Sequence, residues 1–281
     1  MSNEESKANS YKRYIERFNG MNTVEGEALG PGDAVIVTGN GSANGLGRYI
    51  SSSLTSGGIY VFGIDNEYEY LYDKSGDYYQ NRIGDIYDNN GLINSMFAAA
   101  EEKGLTIRAL INNAAVTEMN WFEDIGDELE DTFESNLFAV VRASQRFIEN
   151  TISSKARKYI INIGSMAYDS VLNSSAAYCS SKAALMMLTR CMAWELSIKN
   201  YVIVQVNPSS IAGSGMEADI VADLMRCQGM SRDEAIAYWN AGKRLGRLIT
   251  KQDIVNAIMP ILNGKMDYLS GSSIDFRGGQ R

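Results

Sequence analysis

The stretch from Ala34 to about Leu54 constrains the fold of this chain most strongly. Residues 34–37 read Ala-Val-Ile-Val, a short apolar run that is typical of a buried parallel strand. Residues 38–47 follow with the sequence Thr-Gly-Asn-Gly-Ser-Ala-Asn-Gly-Leu-Gly, and a helix is predicted from about Arg48 to Leu54. Glycines let a backbone turn sharply and approach a phosphate group, whose charge the N-terminus of a helix stabilises. Such a loop can be a mere turn, but the flanking strand and helix favour a phosphate cradle.

Strands and helices alternate along the remainder of the chain. The predicted strands are residues 59–65, a short segment before Gly84, and residues 107–111, 158–163, 201–206 and 273–276. The predicted helices are residues 90–103, 128–152, 177–199 and 253–262, with a surface helix and loop at 66–79. This alternation predicts an α/β fold with one doubly wound, Rossmann-type parallel sheet flanked by helices.

Two segments stand outside this alternation. Residues 1–33 are a polar N-terminal extension, predicted as a short helix and a linker that ends in Gly-Pro-Gly. Residues 34–281 are predicted to form one domain. Within it, residues 209–247 are rich in Gly, Ser and Met and are predicted to form a mobile lid or substrate segment.

Composition excludes several classes of function. The net charge of −8 argues against nucleic acid as a partner, because phosphate binding needs clustered Lys and Arg. The chain shows neither an apolar run that could span a bilayer nor a signal-peptide pattern, so no membrane partner is expected. Three cysteines without Cys-x-x-Cys spacing indicate free thiols in a reducing compartment, and we expect a cytoplasmic protein.

The chain contains no histidine. A Ser-His-Asp or Cys-His device and a His-ligated metal centre are therefore excluded, and no metal is expected. Acid–base chemistry near neutral pH must then use Tyr, Lys, Cys or a perturbed carboxylate.

Tyr178 and Lys182 form a candidate acid–base pair. They stand four residues apart at the start of a predicted helix, which puts both side chains on one face. An ammonium beside a phenol favours the phenolate, so the pKa of Tyr178 is predicted to fall below about 10. Ser165 lies just beyond the fifth predicted strand, at the sheet edge where ligands bind in open α/β folds. Taken alone, the pair could be a chance arrangement on a helix.

Asp65 ends the second predicted strand, about twenty residues after the glycines. An acid there can accept hydrogen bonds from adenosine ribose hydroxyls and would repel the extra phosphate of NADP. Asn44 in the loop is neutral, and NAD is therefore favoured over NADP. Asp85 is placed to contact an adenine. The alternative for Asp65 is an ordinary turn residue at a strand end.

Asn136 is a polar amide among apolar neighbours in a predicted helix. Burying it costs free energy unless it is hydrogen-bonded, so it needs a partner. That partner is either a backbone carbonyl or an ordered water at an active site.

These motifs occur together in one known family. The glycine loop, Asn112-Asn113-Ala114-Ala115, Asn136, Ser165 and the Tyr178-x-x-x-Lys182 pair follow one another in the family's order and spacing. From about residue 34 to residue 279 the chain resembles the classical short-chain dehydrogenases/reductases.

The resemblance implies a role for each motif. Tyr178 would be the general acid/base, Lys182 would lower its pKa and bind the nicotinamide ribose, and Ser165 would hold the substrate oxygen. Asn136 would anchor a water in a proton relay. The implied cofactor contacts are Gly39, Gly41, Asn44, Gly45, Leu46, Gly47, Asp65, Asp85, Ile86, Asn113, Ala114, Ala115, Tyr178, Lys182, Pro208 and Ile211.

The chain departs from the family pattern in four places, one of them the region Gly213-Ser214, where the family has a Thr that is expected to contact the cofactor. Five residues separate Gly39 from Gly45, where the family has three, so either Gly39 or Gly41 is the first functional glycine. Ala115 stands where the family has Gly, and Ser209 follows Pro208 in place of Gly. These changes bear on cofactor contacts and leave the catalytic residues in place.

The predicted function is an NAD(P)-dependent oxidoreductase that interconverts a secondary alcohol and a ketone, with Tyr as acid/base. The alternatives are a nucleotide-sugar epimerase or dehydratase on the same scaffold and a non-catalytic dinucleotide-binding protein. The small-molecule substrate would be a sugar derivative, a polyol or a cyclic alcohol. Its predicted pocket is formed by Met166, Tyr168, Leu172, Asn173, Met216, Tyr238 and Trp239. A homotetramer or dimer is expected through the helices at 128–152 and 177–199.

Overall fold

The computed structural model describes residues 27–66, 79–84, 89–241 and 244–279, and its strands form one seven-stranded sheet. The strands are β1 (Asp33–Thr38), β2 (Tyr60–Asp65), β3 (Tyr79–Ile83), β4 (Thr106–Asn112), β5 (Lys158–Ile163), β6 (Tyr201–Asn207) and β7 (Ser273–Asp275). They lie in the order β3-β2-β1-β4-β5-β6-β7, and each neighbouring pair is parallel. The predicted doubly wound, Rossmann-type sheet is confirmed.

Helices cover both faces of this sheet. They are α1 (Leu46–Ser56), α2 (Asn89–Glu102), α3 (Glu128–Phe133), α4 (Ala139–Thr151), α5 (Ala176–Leu196), α6 (Gly215–Gln228), α7 (Arg232–Asn240) and α8 (Lys251–Leu262). Because side chains alternate along a strand, β1 sends Val35 and Val37 to the face covered by α1 and α8. It sends Ala34 and Ile36 to the opposite face, where α2, α4 and α5 pack.

Two predicted segments differ in detail from the structure. The predicted helix at 128–152 is interrupted by a π-helical turn, Glu134–Phe138, which joins α3 to α4. The predicted lid at 209–247 contains two helices, α6 and α7, whose apolar residues form a small core of their own around Leu224 and Ala235.

Residues 1–26 and 67–78 lie outside the described part of the chain, and with them most of the predicted N-terminal helix and of the surface segment at 66–79. Leu29 is buried, and its N–H donates to Leu262 O at 3.0 Å. The division into an extension and a domain stays a prediction. No described helix combines the length and the apolar surface that crossing a bilayer requires.

Candidate active site

A cavity of about 1280 Å³ lies at the carboxyl ends of the strands, where ligands bind in open α/β sheets. Its walls come from the loop after β1, the ends of β2, β4 and β5, the segment after β6, and the helices α6 and α7. The predicted site residues that line it are Gly39, Gly45, Leu46, Asp65, Asn113, Ala114, Ala115, Ser165, Met166, Leu172, Asn173, Tyr178, Lys182, Pro208, Ile211, Met216, Tyr238 and Trp239.

The glycine-rich loop is packed too closely for side chains at two positions. Gly39 has φ +70°, and a Cβ there would lie 2.6 Å from Ala114 Cα. A Cβ at Gly47 would lie 2.6 Å from Asn113 Nδ2. Gly45 precedes α1 and supplies no capping side chain, so the first N–H groups of that helix suit a phosphate. Because Gly39 has a positive φ and Gly41 does not, Gly39 makes the sharp turn after β1.

The longer loop brings Gly41 to the end of β2. The N–H of Gly41 donates to Asp65 Oδ2 at 2.6 Å, which orients the carboxylate at the cavity wall. Arg48, which the sequence analysis did not single out, hydrogen-bonds to the backbone of this loop. Its Nε donates to Asn40 O at 2.9 Å and its Nη2 to Gly41 O at 3.0 Å. The position of this arginine directly after Gly47 was the sequence signal that could have identified it as a loop contact.

Asn113 joins the end of β4 to the glycine loop. Its Nδ2 donates to Thr38 O at 3.1 Å and to Gly39 O at 2.8 Å. The hydroxyl of Thr38 accepts the N–H groups of Asn113 and Ala114 at 3.0 and 3.1 Å. The two loops that face the cavity therefore form one rigid unit.

Ser165, Tyr178 and Lys182 meet in the wall of the same cavity. Ser165 follows β5, and its hydroxyl accepts the N–H of Ala167 at 3.1 Å. Tyr178 and Lys182 lie one turn apart on α5, with the Lys182 Nζ 5.6 Å from the centre of the Tyr178 ring. The same Nζ donates to Ile163 O at 3.4 Å. Both side chains are buried, with exposed fractions of 9% and 2%.

The predicted fall of the Tyr178 pKa was wrong. Burial raises the pKa of Tyr178, a hydrogen bond from Ser165 partly lowers it, and the neighbouring Cys179 raises it further. Burial also lowers the pKa of Lys182, to about 8. Desolvation disfavours the charged form of each group, so one cause moves both values. The prediction counted the charge of Lys182 and omitted the loss of water around the phenol.

Asn136 lies in the π-helical turn, with an exposed fraction of 1%. Its Oδ1 accepts the N–H of Val116 at 2.9 Å, and its Nδ2 donates to Val116 O at 3.0 Å and to Ser181 Oγ at 3.1 Å. Of the two predicted partners, the structure therefore gives the amide a backbone carbonyl. These bonds join the loop after β4 to α5.

Several predicted residues do not line the cavity. Within the described residues these are Gly41, Asn44, Gly47, Asn136 and Tyr168. Tyr168 was predicted to contact substrate, but its hydroxyl donates to Asp275 Oδ2 at 2.9 Å. Asp85 and Ile86 lie outside the described residues.

The cavity wall also includes residues that the sequence analysis did not name. All but Asp219, which lies on α6, and Ser135, which lies in the π-helical turn, come from loops whose path the sequence pattern does not define: Ser42, Thr117, Glu118, Ser135, Ser170, Ser175, Ser210, Ser214, Asp219 and Arg277. Arg277 Nη2 donates to Asp169 Oδ2 at 2.6 Å and to Asp275 Oδ2 at 3.2 Å. A basic residue just after the last strand was the available signal for it.

The family model described as short chain dehydrogenase matches residues 33–224, from β1 into α6. The chain belongs to the short-chain dehydrogenase family. The matched range contains the glycine loop and Asn136, Ser165, Tyr178 and Lys182, so it covers most of the cavity wall, and α7 and Arg277 lie beyond it.

Relatives within the short-chain dehydrogenases include enzymes named for sugars. The chain is 32% identical to D-erythrulose reductase of Gallus gallus over 171 residues, 60% of this chain and 65% of that protein. It is 30% identical to L-xylulose reductase of Homo sapiens, again over 60% of this chain and 66% of the relative. These matches therefore span slightly less than two thirds of the relatives' own length.

Two further proteins match over most of the chain. The 2,3-dihydro-2,3-dihydroxybenzoate dehydrogenase of Bacillus subtilis is 26% identical over 85% of this chain and 93% of that protein. A solved structure from Beutenbergia cavernae, with bound NADP at low occupancy, superposes with a TM-score of 0.75. It is 24% identical and covers 89% of this chain and 96% of its own, which supports the fold alone.

Proposed function

We propose that this chain is an NAD(P)-dependent oxidoreductase that interconverts a secondary alcohol and a ketone, with NAD favoured. One observation carries the proposal. Ser165, together with the buried Tyr178 and Lys182, lines the same cavity as the glycine loop at the start of α1. A pure binding module has no use for a buried acid–base set at the ligand site.

The loop fits a dinucleotide in shape and charge. Side chains at Gly39 and Gly47 would fill the space between the loops, and Gly45 leaves the N-terminus of α1 without a capping side chain. The pyrophosphate would lie against Gly45 and Leu46, and Asp65 would accept the ribose hydroxyls. Lys182 would hold the second ribose. A bound nicotinamide supplies the hydride.

The protonation of the site suits ketone reduction at neutral pH. Burial keeps Tyr178 a neutral phenol, which can donate its proton to the substrate oxygen as negative charge develops there. The hydroxyl of Ser165 would donate to the same oxygen and orient it. The ammonium of Lys182 would stabilise the phenolate that Tyr178 becomes. Alcohol oxidation requires that phenolate first, so we expect oxidation to be favoured as the pH rises.

We further propose a small, uncharged sugar or polyol as substrate. The named substrates of two relatives support this, and so do the hydroxyl groups around the cavity, among them Ser165, Ser170 and Ser175. Arg277 lies in the wall but is already paired with Asp169 and Asp275, so it does not offer a substrate carboxylate an uncompensated charge. Hydroxyl-rich substrates need many small polar partners and no such charge.

A homo-oligomer through the long helices is also proposed. On α5, Met187 and Trp194 are exposed by 56% and 75%, and Phe138 beside α4 by 47%. Large apolar side chains exposed on neighbouring helices are typical of a subunit contact. Sedimentation at several protein concentrations tests this.

Three free thiols fit the expected cytoplasmic location.

The proposed function is tested with Tyr178→Phe and with NADH and NADPH as reductants of D-erythrulose, L-xylulose and a cyclic ketone. Loss of the phenolic proton should lower kcat for reduction by roughly 100- to 10,000-fold. Dinucleotide affinity, measured by calorimetry, should stay within about threefold, because less than 1 kcal/mol of binding is expected to change. Tyr268→Phe, an exposed tyrosine outside the cavity wall, is the matched control. Near-normal turnover in Tyr178→Phe would contradict the proposal.

A further inference from the structure

Gly164, which directly precedes Ser165, has no room for a side chain. A Cβ there would lie 2.8 Å from Gln205 Cδ and still closer to Gln205 Nε2 and Asn207 Oδ1. Both of these β6 residues are fully buried. Two polar side chains from the neighbouring strand therefore occupy the space that a side chain at position 164 would fill.

The two amides belong to a buried chain of hydrogen bonds. Gln205 Nε2 donates to Asn207 Oδ1 at 2.8 Å, and Gln205 Oε1 accepts the hydroxyl of Thr189 on α5 at 3.1 Å. Asn207 Nδ2 donates to Asp275 Oδ1 at 2.9 Å. Tyr168 donates to the other oxygen of Asp275. Gln205 thus joins the catalytic helix α5 to the segment that carries Ser165.

Backbone hydrogen bonds attach that segment to the end of β6 on both sides of Ser165. Gly164 N donates to Val206 O at 2.8 Å, and Met166 N donates to Pro208 O at 2.9 Å. The position of the Ser165 hydroxyl therefore depends on where β6 ends, and the Gln205–Asn207 pair fixes that end.

We propose that Gln205 is a positioning residue, which acts through Asn207 and Gly164 to place the Ser165 hydroxyl for the reaction. The effect of Gln205 on catalysis rests on the proposed function, whereas its effect on packing does not. A buried amide whose nitrogen and oxygen are both hydrogen-bonded holds the turn in place, because displacement would leave these polar atoms without partners.

The packing consequence is tested by rescue. Gly164→Ala should lower Tm because its Cβ overlaps the two amides, and Gln205→Ala should lower Tm by opening a cavity. In Gly164→Ala/Gln205→Ala the added methyl fills part of that cavity, so the double variant should unfold at a higher temperature than the two single losses predict. Additive losses would overturn the inference, as would a Gly164→Ala variant with unchanged Tm. This test needs no substrate, so its failure is distinguishable from failure of the proposed function.

The catalytic consequence is tested with a variant of nearly equal volume. Gln205→Met should lower kcat for ketone reduction by roughly 10- to 100-fold, the effect of a displacement of about 1 Å. Combined with Ser165→Ala it should cost nothing further, because its effect passes through Ser165. Thr151→Val, which removes a buried hydroxyl at the opposite edge of the sheet, controls for lost stability alone. A Gln205→Met loss of equal size with and without Ser165 would assign Gln205 a purely structural role.

Discussion

Burial decides the protonation of the two titrating groups at the site. Tyr178 and Lys182 have both lost water, so the pKa of the phenol is raised and that of the ammonium is lowered to about 8. Below pH 8 the pair therefore consists of a neutral proton donor beside a cation. This state is suited to protonating a ketone oxygen as it gains charge.

Asp65 is the residue expected to select the cofactor. Its carboxylate is oriented by the Gly41 N–H at the cavity wall, where it would accept ribose hydroxyls and repel a 2′-phosphate. Asp65→Ala should raise the ratio of kcat/KM for NADPH over NADH by roughly tenfold, about the loss of one charged hydrogen bond. Steady-state kinetics with both reductants measures this ratio.

Asp219→Ala is the matched control, because it removes a second carboxylate from the cavity wall but on the lid helix α6. It should leave the cofactor ratio unchanged. An unchanged ratio in Asp65→Ala as well would remove Asp65 from cofactor selection.

At the scale of elements, the π-helical turn before α4 places Asn136. π-turns in α-helices are frequent at functional sites, because the extra residue re-aims side chains and backbone. Here the turn presents the amide to both backbone groups of Val116 and to Ser181 on α5. The loop after β4 is thereby held against the helix that carries Tyr178.

Helix α6, in the segment predicted to be a lid, is hydrogen-bonded at its C-terminal end to the loop after β4. Arg226 Nη2 donates to Met119 O at 2.7 Å, and its Nη1 donates to Asn120 Oδ1 at 2.9 Å. Trp121 Nε1 donates to Cys227 O at 2.9 Å. All of these bonds join residues 226–227 to the loop after β4, which forms another wall of the cavity.

Arg226→Ala should therefore loosen the lid. Loss of these charged hydrogen bonds should raise KM for substrate roughly tenfold, with kcat within about twofold, because Tyr178 and Ser165 are untouched. Hydrogen exchange in residues 215–240 should rise in the same variant. Arg232→Ala, an exposed arginine at the start of α7, is the control. A fall in kcat at constant KM would show that the lid bonds act on the chemistry.

At the scale of the whole molecule, buried lysines contribute to the pH dependence of stability. Burial, with Arg157 and Arg108 nearby, lowers the pKa of Lys158 to about 8, and burial does the same for Lys182. Between about pH 8 and 10.5 each of these lysines binds more protons in the unfolded chain than in the folded one, so the contribution of the two lysines to the free energy of unfolding should rise with pH. Below pH 8 the folded protein keeps both ammonium groups charged and buried, and the whole free energy of their desolvation opposes folding.

Lys158→Met tests this account, because Lys158 lies at the amino edge of β5, away from the cavity. The free energy of unfolding at pH 7 should increase by roughly 1–3 kcal/mol. Between pH 8 and 10 the pH dependence of this free energy should lose the positive contribution of Lys158, and urea unfolding at each pH measures both changes. Lys155→Met, an exposed lysine, should show neither change. A parallel pH profile for Lys158→Met and the wild type would show that Lys158 does not titrate in this range.

The sequence by itself determined the architecture and identified many of the residues that line the cavity. Hydrophobic periodicity and turn residues are local properties of a sequence. They therefore predict the alternating strands and helices, the glycine loop and the spacing of Tyr178 and Lys182 without knowledge of the structure. Parallel strands bring their carboxyl ends to one edge, which is why Ser165, Asp65 and Asn113, each at or just after the end of a strand, line the same cavity.

Only the tertiary structure decided how those residues are held and charged. The pKa of Tyr178 depends on burial by residues distant in sequence, and no local pattern predicts that balance. Long-range contacts also decide the hydrogen-bond partners of Asn136 and of the Tyr168 hydroxyl. The same holds for the space beside Gly164, which Gln205 fills. Desolvation and close packing are properties of neighbours in space, and the chain order does not specify them.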